Sequence, residues 1–147
     1  MMSISELMSA DHRRCDQLQA SFEAAVEKNE IDKIVTIFDD FYAAVDRHFR
    51  MEEEVLFPEF ESVTGMTRGP TQVMKMEHQQ IRQQLESLKL SLQQNDYEKA
   101  LGVSENLLIL TQQHNMKEEQ MLYPMTDRSL PNTAATIEKM QAILVVL

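Results

Sequence analysis

Apolar residues recur every three to four positions along most of the chain, a pattern typical of amphipathic α-helices. The first predicted helix begins at the capping-box pair Ser3 and Glu6 and ends near Lys28. A turn at 29–32 separates it from a second helix that extends to about residue 60. The apolar stripe of this second helix is expected to consist of Ile31, Ile34, Val35, Phe38, Phe41, Tyr42, Val45, Phe49, Val55, Leu56 and Phe60.

Two more long helices and one short helix are predicted in the rest of the chain. Residues 62–70 hold two glycines and a proline and form the clearest loop. A third helix follows and ends at a turn near 95–96, and a fourth extends from about Tyr97 to Met125. A short fifth helix is expected over 133–146. Since no segment shows sustained alternation with a period of two, we predict an all-α, up-down-up-down four-helix bundle with a short fifth C-terminal helix.

A gapless internal repeat with an offset of 66 residues accounts for all four histidines. The segment 48–58 aligns with 114–124, and the dipeptide 11–12 aligns with 77–78. We interpret the repeat as a duplicated helical hairpin. In each hairpin the two histidines are equidistant from the predicted turn. All four are therefore expected in one layer of the bundle, roughly 27 Å from the turns at 1.5 Å per residue.

Six ionisable side chains are expected to face the interior in this layer. His48 and Glu52 occupy seam positions one turn apart in the second helix, and His114 and Glu118 do the same in the fourth, where the stripe should continue to Met121. The upstream histidines lie on the apolar faces of the first and third helices. The candidate metal ligands are therefore His12, His48, Glu52, His78, His114 and Glu118.

Bound metal ions would offset the free-energy cost of burying these polar and charged side chains. Burying polar groups and carboxylates costs free energy unless they are paired. Four imidazoles and two carboxylates exceed a closed tetrahedral zinc site and match iron or manganese. We expect two iron ions, each held by two histidines and bridged by both carboxylates, with room for a bridging oxide or hydroxide and a small exogenous ligand.

Composition narrows the class of protein. The length of 147 residues predicts a single domain, 1–147. Fourteen Lys and Arg against 24 Asp and Glu give a formal charge of −10, which argues against nucleic-acid or anionic-membrane partners. The single cysteine excludes an internal disulfide, and the sequence shows neither a signal-peptide pattern nor a membrane-length apolar run. We therefore predict a soluble cytoplasmic protein.

The doubled motif H-x-x-x-E-E-x-x-L-[FY]-P and its two upstream histidines resemble the hemerythrin-like (HHE cation-binding) family over about 5–123. The resemblance implies a four-helix bundle around a non-haem di-iron centre. Carried over by position, the family's ligands fall on the six residues named above, with Glu52 and Glu118 bridging.

The chain departs from the family's oxygen carriers at two positions. Where they have a fifth histidine, this chain has Met74, so the two metal sites are expected to be near-equivalent and more open. Their Asp five residues after the last histidine corresponds to Glu119. The internal repeat favours Glu118 as the ligand, and Glu119 is the second choice.

Several neighbouring residues allow two interpretations. Four carboxylates adjoin the candidate ligands and are either hydrogen-bond partners of the imidazoles or solvated surface groups: Asp11, Glu53, Glu77 and Glu119. Cys15 is expected to be a small buried apolar residue rather than a redox group. Tyr123 aligns with Phe57, so its hydroxyl is not expected to be required.

The leading functional prediction is a metal-binding protein rather than an enzyme, whose di-iron site binds O2 or NO in oxygen, nitric-oxide or redox response. Two alternatives use the same site. One is iron handling, including donation to damaged iron–sulfur proteins; the other is an enzyme that reduces peroxide or NO, or oxidises ferrous iron. The charge selects no protein partner.

Overall fold

A computed structural model describes residues 2–146 and shows a bundle of four long antiparallel helical rods with a short C-terminal helix. The first rod pairs with the second, and the third pairs with the fourth. The predicted all-α fold is confirmed. The elements in chain order are α1 (Ile4–Glu27), α2 (Ile31–Met51), a π-helical turn (Glu52–Leu56), α3 (Phe57–Thr64), α4 (Pro70–Gln93), α5 (Tyr97–Lys117), a second π-helical turn (Glu118–Leu122), α6 (Tyr123–Ser129) and α7 (Thr133–Gln141). The first rod is α1, the second is α2 with its π-helical turn and α3, the third is α4, and the fourth is α5 with its π-helical turn and α6.

The two hairpin turns are built in the same way, as the repeat predicts. Each contains an asparagine in the left-handed region, with φ of 55° at Asn29 and 56° at Asn95. Asparagine tolerates this conformation better than most non-glycine residues. In both turns the next residue donates its N–H to the carbonyl five residues back, at 2.9 Å. These matched turns align the two hairpins in height.

The free N–H groups at the N-terminus of α1 are capped by two side chains, those of Ser3 and Asp127. The Ser3 hydroxyl accepts the N–H of Glu6 at 3.0 Å, as the capping-box pattern predicts. The Asp127 carboxylate of α6 accepts the N–H of Ile4 at 2.8 Å and both the N–H and the hydroxyl of Ser5. A negative charge at a helix N-terminus is favourable, so Asp127 joins α1 to the far end of the fourth rod.

The apolar core lies in two parts, one on each side of the polar layer. The part on the side of the hairpin turns includes Phe22, Phe38 and Leu88. The part at the opposite end includes Ile4 and Phe57. The histidine and glutamate side chains are therefore held between two apolar blocks that exclude water from above and below.

Three predicted stripe residues are exposed instead. Ile31 and Val35 are 60% and 58% exposed because the first two turns of α2 present them on the outer face of the bundle. Met121 is 61% exposed because the second π-helical turn contains one extra residue and shifts the helical phase. The inward positions beyond Glu118 are consequently Leu122 and Tyr123.

The C-terminal helix is shorter than predicted and ends at Gln141. The following residues lie against α2, where the Arg47 side chain donates hydrogen bonds to the carbonyls of Ile143 and Gln141. Arg50 likewise donates to the carbonyl of Leu144. None of the helices in the described range, 2–146, is both long and apolar enough to cross a membrane.

Candidate metal centre

The two π-helical turns orient the acidic part of each motif. In such a turn the N–H of one residue bonds the carbonyl five residues back, here Phe57 to Glu52 and Tyr123 to Glu118. Residues five apart then share a face of the helix. Each turn therefore directs its first glutamate and the aromatic residue after it into the same buried layer.

The structure brings all six predicted ligands together, and all are buried. Glu118 lies between the two hairpins, with Oε1 3.0 Å from His12 Nε2 and Oε2 3.3 Å from His114 Nε2. Glu52 presents Oε1 3.1 Å from His78 Nε2 and 3.6 Å from His48 Nε2. Each carboxylate thus faces histidines of both hairpins, as a bridging ligand must.

Four of these ligand atoms have no hydrogen-bond partner within residues 2–146. They are Glu52 Oε1, His78 Nε2, His114 Nε2 and Glu118 Oε2. They lie close to one another without forming hydrogen bonds. Unpaired buried polar atoms are costly, and a cation between them would satisfy all four. The donor set, imidazole nitrogen with carboxylate oxygen, fits a transition-metal ion.

The ligand atoms form two groups of unequal size. One group contains the donor atoms of four residues, Glu52, His78, His114 and Glu118, and the other those of three, His12, His48 and Glu118. Within each group the atoms lie within 4.8 Å of one another. We call them the His78–His114 half and the His12–His48 half. That these residues bind metal stays a prediction.

The four neighbouring carboxylates are hydrogen-bond partners of the imidazoles, which decides between the two interpretations. Every histidine Nδ1 contacts one carboxylate oxygen, at 2.6 to 2.8 Å. The pairs are Asp11 with His48, Glu77 with His114, Glu53 with His78, and Glu119 with His12. Such partners fix the ring orientation and direct Nε2 toward the centre. Glu118 is inside the layer and Glu119 is outside it, as the repeat favours.

Cations support three of these outer carboxylates. Asp11 accepts from Arg14, Glu53 from Arg82, and Glu77 from Lys117, with all three bonds between 2.5 and 3.2 Å. Burial raises the pKa of Glu53, but its bonds to His78 and Arg82 outweigh burial and lower the pKa to about 2. Glu53 therefore stays anionic at neutral pH, which suits an acceptor of the imidazole N–H.

The carboxylates hold protons on the imidazoles when no metal is bound. Burial lowers the pKa of His114, but the negative charge of Glu118 outweighs burial and raises that pKa to about 9. The pKa values of His12 and His78 are raised against burial in the same way by Glu118 and Glu52 respectively. A metal ion at the centre must therefore displace protons from these rings.

Sequence reasoning missed the Tyr123 hydroxyl, which lies inside the polar layer. The hydroxyl oxygen is 2.7 Å from Glu52 Oε2 and 2.9 Å from Glu118 Oε1. Burial and the charges of these two carboxylates raise the pKa of Tyr123 well above its usual value. The phase shift of the π-helical turn brings this side chain inward, and a regular helical pattern gives no signal for it.

The surroundings of the two halves differ, so the expected near-equivalence does not extend to them. The His78 ring is stacked on Phe49 at 3.9 Å and on Phe57 at 5.8 Å. The His12–His48 half instead borders a cavity of about 20 Å³, lined also by Cys15. A volume of roughly 10–15 Å³ is enough for one water molecule.

Cys15 is buried, as predicted. Burial raises the pKa of its thiol to about 12, so the thiol is neutral at physiological pH. A neutral buried thiol behaves as a small apolar group. Cys15 therefore contributes an apolar wall to the cavity beside His12 and His48.

Comparison with known proteins agrees with this geometry. No curated protein and no solved structure matches the chain. Residues 3–126 match the protein family described as Hemerythrin HHE cation binding domain. This match covers the four long helical rods and all six candidate ligands, and the chain therefore belongs to the hemerythrin HHE cation-binding family.

Proposed function

We propose that this protein holds two iron ions at the four-His, two-Glu centre and binds a diatomic molecule, O2 or NO, as part of an oxygen, nitric-oxide or redox response. The observation that carries the proposal is the set of unpaired, fully buried imidazole and carboxylate atoms that face one another across the two hairpins. When bound, iron would supply an open coordination position and reversible redox chemistry. The residues of the chain hold the ions and exclude bulk water.

Each outer carboxylate has a defined part in this proposal. By accepting the Nδ1 proton, Asp11, Glu53, Glu77 and Glu119 keep every Nε2 free to bind metal. Two ligand carboxylates offset two charges of the metal pair. The remaining positive charge is balanced by the outer carboxylates and by a bridging oxide or hydroxide, which we include in the proposed cofactor.

The cavity supports a small exogenous ligand. Its volume of about 20 Å³ suits a molecule of two or three atoms. Besides the two imidazoles, its lining consists of the apolar Cys15, Val45 and Phe49 and the uncharged polar Thr111 and Asn115, which suits uncharged gases. The proposed location is the cytoplasm, as the single, unpaired cysteine suggests.

The test is a gas titration of the iron-loaded protein. The protein is reduced anaerobically, its iron is counted, and the visible spectrum is recorded as O2 or NO is added and withdrawn. Two irons per chain and a reversible spectral change would support the proposal. A chain without iron, or a di-iron protein with no response to either gas, would refute it.

A cavity-filling variant provides the matched control. Cys15 aligns with Ile81 in the repeat, and Ile81 is buried and fully packed. Cys15→Ile should fill the cavity, keep the iron count at two and weaken gas binding. Repeated turnover of peroxide or NO would instead identify the protein as an enzyme. Rapid loss of iron to a weak chelator would identify it as an iron-handling protein.

A further inference from the structure

The Tyr123 hydroxyl oxygen is surrounded by both glutamates of the centre and by the two histidines of the His12–His48 half. It lies 2.7 Å from Glu52 Oε2, 2.9 Å from Glu118 Oε1, 3.1 Å from His12 Nε2 and 3.3 Å from His48 Nε2. The side chain is fully buried. No atom of the second hairpin's histidine pair is among these neighbours.

These four distances match those between neighbouring ligands around one metal ion. In an octahedral site with bonds of about 2.1 Å, each donor atom has four neighbouring donors at √2 times the bond length, or about 3.0 Å. The observed range is 2.7 to 3.3 Å. The phenol oxygen therefore takes the place of a further donor in the His12–His48 half.

Hydrogen bonding does not explain this placement once a metal is bound. A phenol has one proton to donate, so it can serve Glu52 or Glu118 but gains nothing from imidazole nitrogens that carry no proton. With both Nδ1 atoms held by carboxylates, the Nε2 lone pairs of His12 and His48 point to the metal. The oxygen would then face the same ion as these nitrogens.

The number of ligands leaves room for this assignment. With both carboxylates bridging, each ion has four protein donors, two imidazoles and two carboxylates. Tyr123 would add a fifth donor to the His12–His48 half, which octahedral coordination can accommodate. The repeat partner Phe57 is placed by the corresponding π-helical turn of the first hairpin and stacks on His78, but it has no oxygen to contribute.

We propose that Tyr123 is a metal ligand, its phenol oxygen binding the ion held by His12 and His48 and releasing its proton to solvent as that ion binds. The inference rests on the proposed function only in requiring metal at this centre. It makes the two metal sites chemically distinct: one has an aromatic oxygen ligand, and the other has carboxylate and imidazole ligands alone.

Vibrational spectroscopy of the iron(III)-loaded protein tests the assignment. A tyrosine oxygen bound to iron(III) gives a visible charge-transfer band, and excitation in this band enhances tyrosine ring vibrations in the Raman spectrum. We expect both signals in the wild-type protein and neither in Tyr123→Phe. The substitution copies the natural Phe57 of the other half, so the fold, checked by circular dichroism and thermal unfolding, should be retained.

Metal affinity gives a second measurement, which does not depend on the visible charge-transfer band. Tyr123→Phe should weaken one of the two iron equivalents by on the order of 10-fold, the lower end of what losing even an outer partner of a ligand costs. The other equivalent should be unchanged. Tyr42→Phe is the control, because the Tyr42 hydroxyl bonds Glu86 on the outside of the bundle. It should change neither affinity nor either spectrum.

The outcomes separate the two proposals. A protein that binds two irons without tyrosine vibrations, or whose band survives in Tyr123→Phe, overturns the ligand assignment and leaves the di-iron centre standing. Equal or tighter binding of both equivalents in Tyr123→Phe overturns it as well. A chain that binds no iron overturns both proposals.

Discussion

Removal of the Asp11 carboxylate tests whether the outer acids determine metal affinity. Its Oδ2 lies 2.7 Å from His48 Nδ1, and its side chain is only 11% exposed. A hydrogen bond to a charged group contributes about 1.5–3 kcal/mol. Arg14, which is half exposed, shares this carboxylate at 3.2 Å, so we take the lower part of the range, about 1.5–2 kcal/mol.

This free energy corresponds to a 10- to 30-fold loss of affinity, at about 1.4 kcal/mol per factor of ten. Asp11→Ala should therefore weaken the ion bound by His48 by about 10- to 30-fold. Asp11→Asn retains an acceptor oxygen and should cost about 3- to 10-fold. Competition with a chelator of known affinity under anaerobic conditions measures both values, with the bound iron counted independently.

The chain supplies two matched comparisons. Glu77 is the repeat partner of Asp11 and bonds His114 at 2.8 Å, so Glu77→Ala should weaken the other ion by a similar factor. Asp39 is an exposed carboxylate on α2, more than two turns before His48, and Asp39→Ala should have no effect. A loss below 3-fold in Asp11→Ala, or an equal loss in Asp39→Ala, would refute the reasoning.

Three other predictions concern the metal-free protein. Phe49→Ala removes a buried ring stacked on His78 and should lower the free energy of unfolding by about 3–5 kcal/mol. Urea titration measures this value, and a decrease of less than about 1 kcal/mol would contradict the prediction. Asp127→Ala removes the carboxylate that accepts the N–H groups at the α1 N-terminus and should lower the free energy of unfolding by about 1–2 kcal/mol in the same assay. An unchanged free energy of unfolding would refute this. The pKa of His114 is raised from 6.5 to about 9 in the fold, so its stabilisation is complete below pH 6.5 and is lost as the pH rises through 9. A stability that stays flat or increases over this range would contradict the prediction, and Glu118→Gln should reduce the dependence because it removes the charge that raises the pKa.

The position of the polar layer could be predicted because it depends only on spacing. The repeat offset fixes which residues correspond, and the distance of each histidine from its turn fixes its height in an antiparallel hairpin. Asn29 and Asn95 occupy equivalent left-handed positions, so the two hairpins start from matched turns. Neither argument requires knowledge of side-chain contacts, and both remain valid in the folded chain.

Helical phase beyond the ligands could not be predicted in this way. A π-helical turn adds one residue, and an apolar pattern with a period of 3.6 contains no sign of where it occurs. The phase error placed Met121 inside. The prediction that the Tyr123 hydroxyl is not required has a different origin, namely its repeat partner Phe57, which has no hydroxyl.

The sequence also could not predict which imidazole each outer carboxylate bonds. Asp11 is adjacent to His12 in the chain but bonds His48 on the neighbouring helix. Glu119, from the fourth rod, bonds His12. Adjacency along the chain shows that a carboxylate is near the layer, but only the packing of the helices decides which imidazole it reaches.

The duplicated hairpin explains both the symmetry of the ligands and the asymmetry around them. Two substitutions between the repeats act on the same half of the centre. Cys15 in place of an isoleucine leaves the cavity beside His12 and His48, and Tyr123 in place of a phenylalanine brings an oxygen to those histidines. The other half has Ile81 and Phe57 at these positions, and Phe49 and Phe57 stack on His78. Because the two changes fall on one side, a small molecule in the cavity would meet the half of the proposed centre that lies beside the phenol, and not the closely packed half around His78.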